Sequence, residues 1–192
     1  EGSPDILAAR EVAEHLGTDH YEKTYTANDA LAVVPEVVRT LEHFDPSLVR
    51  SSVANYLLGQ FVTEHVDVVL TGEGSDEIFA GYSYLCEYDD PARLHAELVN
   101  LCNGMHSSGL QRVDRTASVH GLTVRLPFLS SGMIELGMSI APELKRIDNG
   151  EVEKRLLREA FEGWLPHHLL WRKKAQFGDG SGAVDALQKA VA

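Results

Sequence analysis

The stretch VVLTGEGSDEIFAGY, residues 68–82, sets three acids, Glu73, Asp76 and Glu77, around Gly72 and Gly74. An apolar run that turns through glycines into a helix start has the shape of a phosphate-binding turn at the carboxyl end of a strand in an open α/β sheet. Gly72 and Gly74 permit positive φ and close backbone approach, and Ser75 is suited to cap a helix beginning with Asp76 and Glu77. Carboxylates repel a polyphosphate at contact distance. Acids at such a turn therefore point to Mg²⁺ bridging carboxylate and phosphate oxygens. The plainer reading is that Asp76 and Glu77 favour the positive end of a helix, worth a few tenths to about 1 kcal/mol. The local pattern fits both.

Two cations stand out elsewhere, Lys174 in WRKKAQF and Arg50 in SLVRSS. Each also reads as a solvated charge or a surface ion pair. The pair His167-His168 is a poor metal site, because adjacent helical residues point in different directions. No HExxH spacing occurs among the histidines, and Cys86 and Cys102 have no metal-ligand spacing, so both are read as reduced and structural. Trp164 and Trp171 are expected to pack on the core or on helix ends.

The elements that must position these residues are mostly helical. A helix is predicted over 4–16, with Ile6, Ala9, Ala13 and Leu16 at helical spacing and Gly17 at its exit. Asn28 starts a second helical stretch, which Pro35 is expected to break or restart, with Val37, Val38 and Leu41 on the buried side. The segment 47–64 is the longest clean helix, and its stripe is Val49, Val53, Leu57, Phe61 and Val62. Two strands are predicted, a short one over 20–26 and a central one over 66–71. Beyond Tyr82, helices are expected from Asp90-Pro91 to about 103, from about 108 to 120, and over 131–139. A charged amphipathic helix is expected from Gly150-Glu151 to Gly163, burying Val152, Leu156, Ala160 and Phe161. Pro166 starts a short helical turn, and GDGSG at 178–182 links to a last helix. Two strands are too few for a covered parallel sheet, so a sheet-forming element is expected upstream and the chain reads as an α/β fragment.

Composition sets the outer bounds. The chain has 192 residues, 44% of them apolar, which suits one globular domain with a real core. No apolar run reaches the length of about eighteen residues that spans a bilayer, and the first residues lack the regions of a signal peptide, so a cytoplasmic protein is expected. The formal net charge of -12 disfavours a nucleic-acid partner.

Beyond local chemistry, LTGEGSDEIFAGY resembles the LSGEGSDE-type motif of the glutamine-hydrolysing asparagine synthetases. Three further blocks follow in that family's order: HFDPSLVRSSVANYLL at 43–58, DRTASVHGLTVRLPFL at 114–129 and EKRLLREAFEGWLPHHLLWRKKAQFGDG at 153–180. The likeness runs from SPDILAAREVAEHLGTDHYE almost to the end. It is less close to the β-lactam synthetases around GEGSDE. The resemblance implies a helix-rich α/β domain of the adenine-nucleotide α-hydrolase-like, ATP pyrophosphatase type, of which 1–192 is a part lacking the first strands of the parallel sheet. It implies ATP and Mg²⁺ as cofactors. The β-carboxylate of L-aspartate attacks the α-phosphate of ATP, releasing pyrophosphate, and ammonia from glutamine then displaces AMP from the β-aspartyl adenylate. The glutaminase domain that frees the ammonia is expected N-terminal to this chain. A homodimer is compatible with this reading.

Carried across residue by residue, the resemblance puts the backbone of Thr71 and Gly72 on the nucleotide. Glu73 stands at the adenylate, where a carboxylate takes a proton from the incoming nitrogen. Asp76 holds Mg²⁺ on the departing pyrophosphate, Lys174 stabilises phosphate charge, and Arg50 lies near the reacting phosphate or the aspartate. Ser47 stands where a threonine is common, and Arg125 also matches a family arginine, for which a structural tie is an equal explanation. Thr123, Ser130 and Gly109 depart from the family pattern, each standing where an acid is usual. The pyrophosphate loop of type S-G-G-x-D-S-S would lie upstream of SPD. The chain alone is thus expected to make no asparagine. Two other readings remain: a non-catalytic degenerate paralogue acting as a binding or regulatory module, and a ligase acting on another carboxylate.

Overall fold

The computed structural model describes residues 4–147 and 152–174. The expected link at 178–182, the last helix, and the opening at Gly150-Glu151 lie outside the described residues. Eleven elements are used below: α1 (Pro4–Leu16), α2 (Ala27–Leu41), α3 (Pro46–Val62), β1 (Val68–Leu70), α4 (Ser75–Ile78), α5 (Pro91–Gly104), α6 (Gly109–Ser118), β2 (Thr123–Arg125), α7 (Ser131–Ser139), α8 (Arg155–Ala160) and α9 (His167–Leu170). Two compact units divide the described chain, one from residues up to 69 with 108–124, the other from 70–107 with 125–174.

In the first unit α3 packs on α2 and α6. Its core is Ala30, Val37, Leu41, Leu48, Val49, Val53 and Leu57, so the stripe expected on the longest helix is buried over its first half, with Phe61 and Val62 half-exposed. Asp45 caps α3 by accepting from Leu48 N at 2.8 Å, with Pro46 in the first turn. The expected break at Pro35 does not occur. α2 runs through it from Thr26, which forms a capping box with Asp29. Proline forgoes one helical hydrogen bond there, and burial of Ala30, Val37 and Leu41 on either side outweighs that loss. At the far end of α2, Arg115 Nη1 donates to Leu41 O at 3.0 Å and reaches Glu42 Oε2 at 2.7 Å, while Gln111 Nε2 donates to the same carbonyl at 3.0 Å. In α1 only Ala13 of the expected stripe is buried, and Leu16 is 56% exposed.

The sheet is a two-stranded pair, β1 beside β2. It is parallel: Thr123 N donates to Asp67 O at 2.9 Å and Thr71 N to Arg125 O at 3.1 Å. The strand expected at 20–26 is instead irregular and mostly exposed, and β2 takes its place as the second strand. The central strand expected over 66–71 is confined to Val68–Leu70 and is open rather than covered, with Val68 51% and Leu70 75% exposed. A pair this small cannot cover its own faces.

The core of the second unit is Ala80, Leu85, Leu94, Leu98 and Ile147, with α4 against α5 and α7. A Cβ on Gly137 would lie 2.0 Å from Ile78 Cγ2, so the Ile78 side chain of α4 packs directly on the α7 backbone. Lys145, 4% exposed, fastens this contact by donating to Gly137 O at 2.8 Å and Ile78 O at 3.3 Å. Burial holds its pKa below the ordinary lysine value. The long amphipathic helix expected before Gly163 shrinks to α8, because Lys154 is left-handed at φ 57° and ends any helix that precedes it. Val152 and Leu156 are half-buried, whereas Ala160 and Phe161 are exposed. Trp164, expected against the core, is 70% exposed.

Candidate functional site

The acidic turn is built at the end of β1. Thr71 N is tied to Arg125 O, and Thr71 Oγ1 accepts from Glu73 N at 3.1 Å, which closes the turn locally. Gly74 sits at φ 95°, and a Cβ there would strike Leu129 Cδ2 at 2.4 Å. Only glycine meets both demands. Ser75 does not cap: Gly74 occupies that position with no side-chain hydrogen bond, and α4 is a four-residue turn. So short an element carries little macrodipole, which weakens the plainer reading of Asp76 and Glu77 as residues that merely suit a helix start.

Each acid has instead a specific partner. Lys174 Nζ donates to Asp76 Oδ2 at 2.8 Å and to Gly81 O at 2.6 Å. Lys154 Nζ lies 2.9 Å from Asp76 Oδ1 and donates to Ser75 Oγ at 3.3 Å. The approach to Oδ1 is a charge contact, for that oxygen is buried without a hydrogen-bond donor. Glu77, 5% exposed, accepts from Tyr82 OH at 2.6 Å. Burial first, then that bond, and then the charges of Glu77, Asp76 and Glu73 raise the Tyr82 pKa far above the ordinary phenol value. Tyr82 therefore stays a neutral donor.

Backbone geometry sets the carboxylate in place. Ala80 is left-handed at φ 54°, and Gly81 N donates back to Asp76 O at 2.8 Å. A Cβ on Gly81 would lie 1.9 Å from Asp76 Oδ1. The two lysines are set by Arg158. Its Nε donates to Glu153 O at 2.7 Å, beside Lys154, and Nη1 donates to Leu170 O and, at 3.2 Å, to Arg172 O, two residues before Lys174. One guanidinium thus brackets both segments. Desolvation lowers the Arg158 pKa, with Glu153 opposing.

Of the residues singled out in the sequence, Thr71, Gly72, Glu73, Asp76 and Lys174 fall in the second unit, and Asp76 and Lys174 touch. Arg50 belongs to the first unit, where it is exposed and its Nε donates to Pro46 O at 3.2 Å. Lys154 was missed, because EKRLLRE reads as a solvated helix face. Tyr82 and Arg158 were missed too, and nothing in their spacing marks them.

One carboxylate between two ammoniums carries net positive charge, which suits phosphate oxygens. Whether it also suits a metal turns on the donors. Among the described residues no group of three or more His, Cys, Asp or Glu could hold an ion. Asp76 Oδ1 is buried with Lys154 Nζ 2.9 Å away and Oδ2 accepts from Lys174, so a hard cation would bind this carboxylate only by taking the place of an ammonium, with its other oxygens from phosphate and water.

The sequence profile of the Asparagine synthase family matches residues 1–90 and 87–192. The chain belongs to the asparagine synthase family. It is 38% identical over 194 residues to asparagine synthetase B (glutamine-hydrolyzing) of Escherichia coli strain K12, covering 100% of this chain and 35% of that protein. It is 40% identical over 198 residues to a probable asparagine synthetase of Schizosaccharomyces pombe, covering 97% and 36%. The human asparagine synthetase is 39% identical over 188 residues, covering 96% and 33%. The chain thus spans about a third of the length of these curated relatives. Among the described residues no helix is long and apolar enough to cross a membrane.

Proposed function

We propose that this chain supplies phosphate-handling residues to an ATP-dependent ligase that converts L-aspartate into L-asparagine. The observation that carries this is Asp76 held between Lys154 and Lys174 beside the GEGSDE turn; family membership supports it. In this reading residues 1–192 are part of one synthetase domain of the adenine-nucleotide α-hydrolase-like fold, acting in the cytoplasm. The β-carboxylate of aspartate attacks the α-phosphate of ATP, and the bond to the bridging oxygen breaks to release pyrophosphate. Ammonia then attacks the acyl carbon of the β-aspartyl adenylate, loses a proton and expels AMP.

The residues divide the work by their chemistry. Lys174 and Lys154 neutralise charge that builds on the phosphate oxygens during departure, as mobile ammoniums do well. Glu73, half-buried next to the turn, accepts the proton from the attacking nitrogen. Thr71 and Gly72 offer backbone to the nucleotide, and Arg50 orients an anionic group of the substrates. Asp76 is the carboxylate assigned to Mg²⁺, which would neutralise the pyrophosphate leaving group on taking the place of an ammonium there. The ammonia is drawn from glutamine by a glutaminase domain.

Aspartate-dependent exchange of labelled pyrophosphate into ATP, measured on the intact gene product, tests this. Exchange that needs aspartate and is lost in Lys174→Met is the expected result. Exchange supported by a different carboxylic acid across a panel would move the acceptor away from aspartate. None with any acid would leave the non-catalytic alternative.

A further inference from the structure

Glu77 and Tyr82 take no part in the chemistry above, yet they adjoin it. The Tyr82 phenol donates to the buried Glu77 carboxylate at 2.6 Å. On its other side the ring face receives Lys174 Nζ, 4.7 Å from the centroid. That ammonium is therefore held from three directions: the Asp76 carboxylate, the Gly81 carbonyl and an aromatic face. Tyr84 stacks beside Tyr82 with centroids 6.1 Å apart, and Tyr82 also packs against the second core. The ring is thus braced before it meets the lysine.

We propose that the ring of Tyr82, braced by Tyr84 and the core beside it, is a positioning group that holds the Lys174 ammonium at Asp76. The proposal rests on the reading of Lys174 as the phosphate-stabilising cation. A lysine brings four rotatable bonds and a strongly hydrated head, so two polar contacts leave it several competing rotamers. A ring face beneath the ammonium removes many of these without consuming a donor, so the N–H left over from Asp76 and Gly81 stays available to phosphate.

The test separates the ring from the hydroxyl. In the intact gene product with ¹³C-labelled lysine, the Lys174 ε-methylene protons are expected upfield of the other lysines, because the Nζ they adjoin lies 4.7 Å from the ring centroid. Tyr82→Leu returns them to the ordinary position. Tyr82→Phe in a Glu77→Gln background keeps the ring, avoids leaving a buried carboxylate without its donor, and retains the upfield position. In the intact gene product, Tyr82→Leu lowers kcat for aspartate-dependent pyrophosphate exchange about 2- to 30-fold, the range a cation–π contact spans. The KM for aspartate stays unchanged, and the double variant remains within about twofold of the parent in kcat. Ordinary ε-proton shifts in the unsubstituted chain, or a Tyr82→Leu variant with parental kcat, overturn the proposal. Should Tyr82→Leu fail to fold, the shifts in the unsubstituted chain and in the double variant decide. Absence of exchange in the unsubstituted protein counts against the ligase reading, and the ε-proton shifts then decide the role of Tyr82 by themselves.

Discussion

Gly81→Ala isolates the link between backbone packing and the acidic site. The new Cβ would sit 1.9 Å from Asp76 Oδ1, 2.6 Å from its Cγ and 2.7 Å from its Cα. Because the last contact is backbone, rotating the carboxylate away cannot relieve it all. To reach an ordinary separation of 3.4 Å, the oxygen must move by about 1.5 Å, against the two lysines at 2.9 and 2.8 Å. Gly81 has no positive φ, so alanine adds a purely steric effect. Overpacking of this kind costs about 1–3 kcal/mol of stability. A shift of this size at a positioned group costs on the order of 100-fold in rate. Urea unfolding of the chain reads the first, and aspartate-dependent pyrophosphate exchange by the intact gene product reads the second. Gly72→Ala is the control for stability, since nothing lies within 4 Å of a Cβ there. A Gly81→Ala protein as stable as its parent, with parental exchange, would refute the reasoning that this glycine seats Asp76.

Two further outcomes follow from single groups. Lys154 is held left-handed at φ 57° while its ammonium meets Asp76; Lys154→Gly is expected to be about 1–2 kcal/mol more stable than Lys154→Met, because glycine removes the backbone strain. Both variants lose pyrophosphate exchange, and equal stability of the two in urea would discount that strain. His120 packs edge-on against Tyr56 with centroids 4.5 Å apart, its Nε2 buried without a partner, and desolvation lowers its pKa despite a bond to the Tyr56 backbone. A lowered histidine pKa means the unfolded chain binds the extra proton first, so this stabilisation is complete above the ordinary value of 6.5 and declines as pH falls below it. Melting temperatures between pH 7 and about 5 should fall more gently in His120→Gln than in the parent; identical slopes would remove His120 from the account.

Much of the molecule was legible in its residues, because the signals concerned act over a few positions. Asp90-Pro91 announces the start of α5, and Gly17, in the left-handed region at φ 67°, ends α1 as its position suggests. Helical period located Val37, Leu41, Val49, Val53 and Leu57, all buried. The ordered motif blocks led to the family, and glycines beside acids drew attention to the candidate site. Where local signals and packing competed, packing won. Pro35 failed to break α2, tyrosines and threonines at 20–26 failed to make a strand, and a helical pattern before Arg155 yielded to one left-handed lysine.

The composition of the turn, the family of the chain and the acidic character of residues 73–77 were thus properties of the sequence by itself. That Asp76 would be met by Lys174, 98 residues further along, and by Lys154 was decided only in three dimensions. Local propensity and period carry no information about which distant side chain arrives at a given carboxylate. Loop closure over such separations is entropically costly, and it is the nonlocal packing of α4, α5 and α7, with Arg158 tying the segments that bear the two lysines, that offsets the cost and brings the charges together.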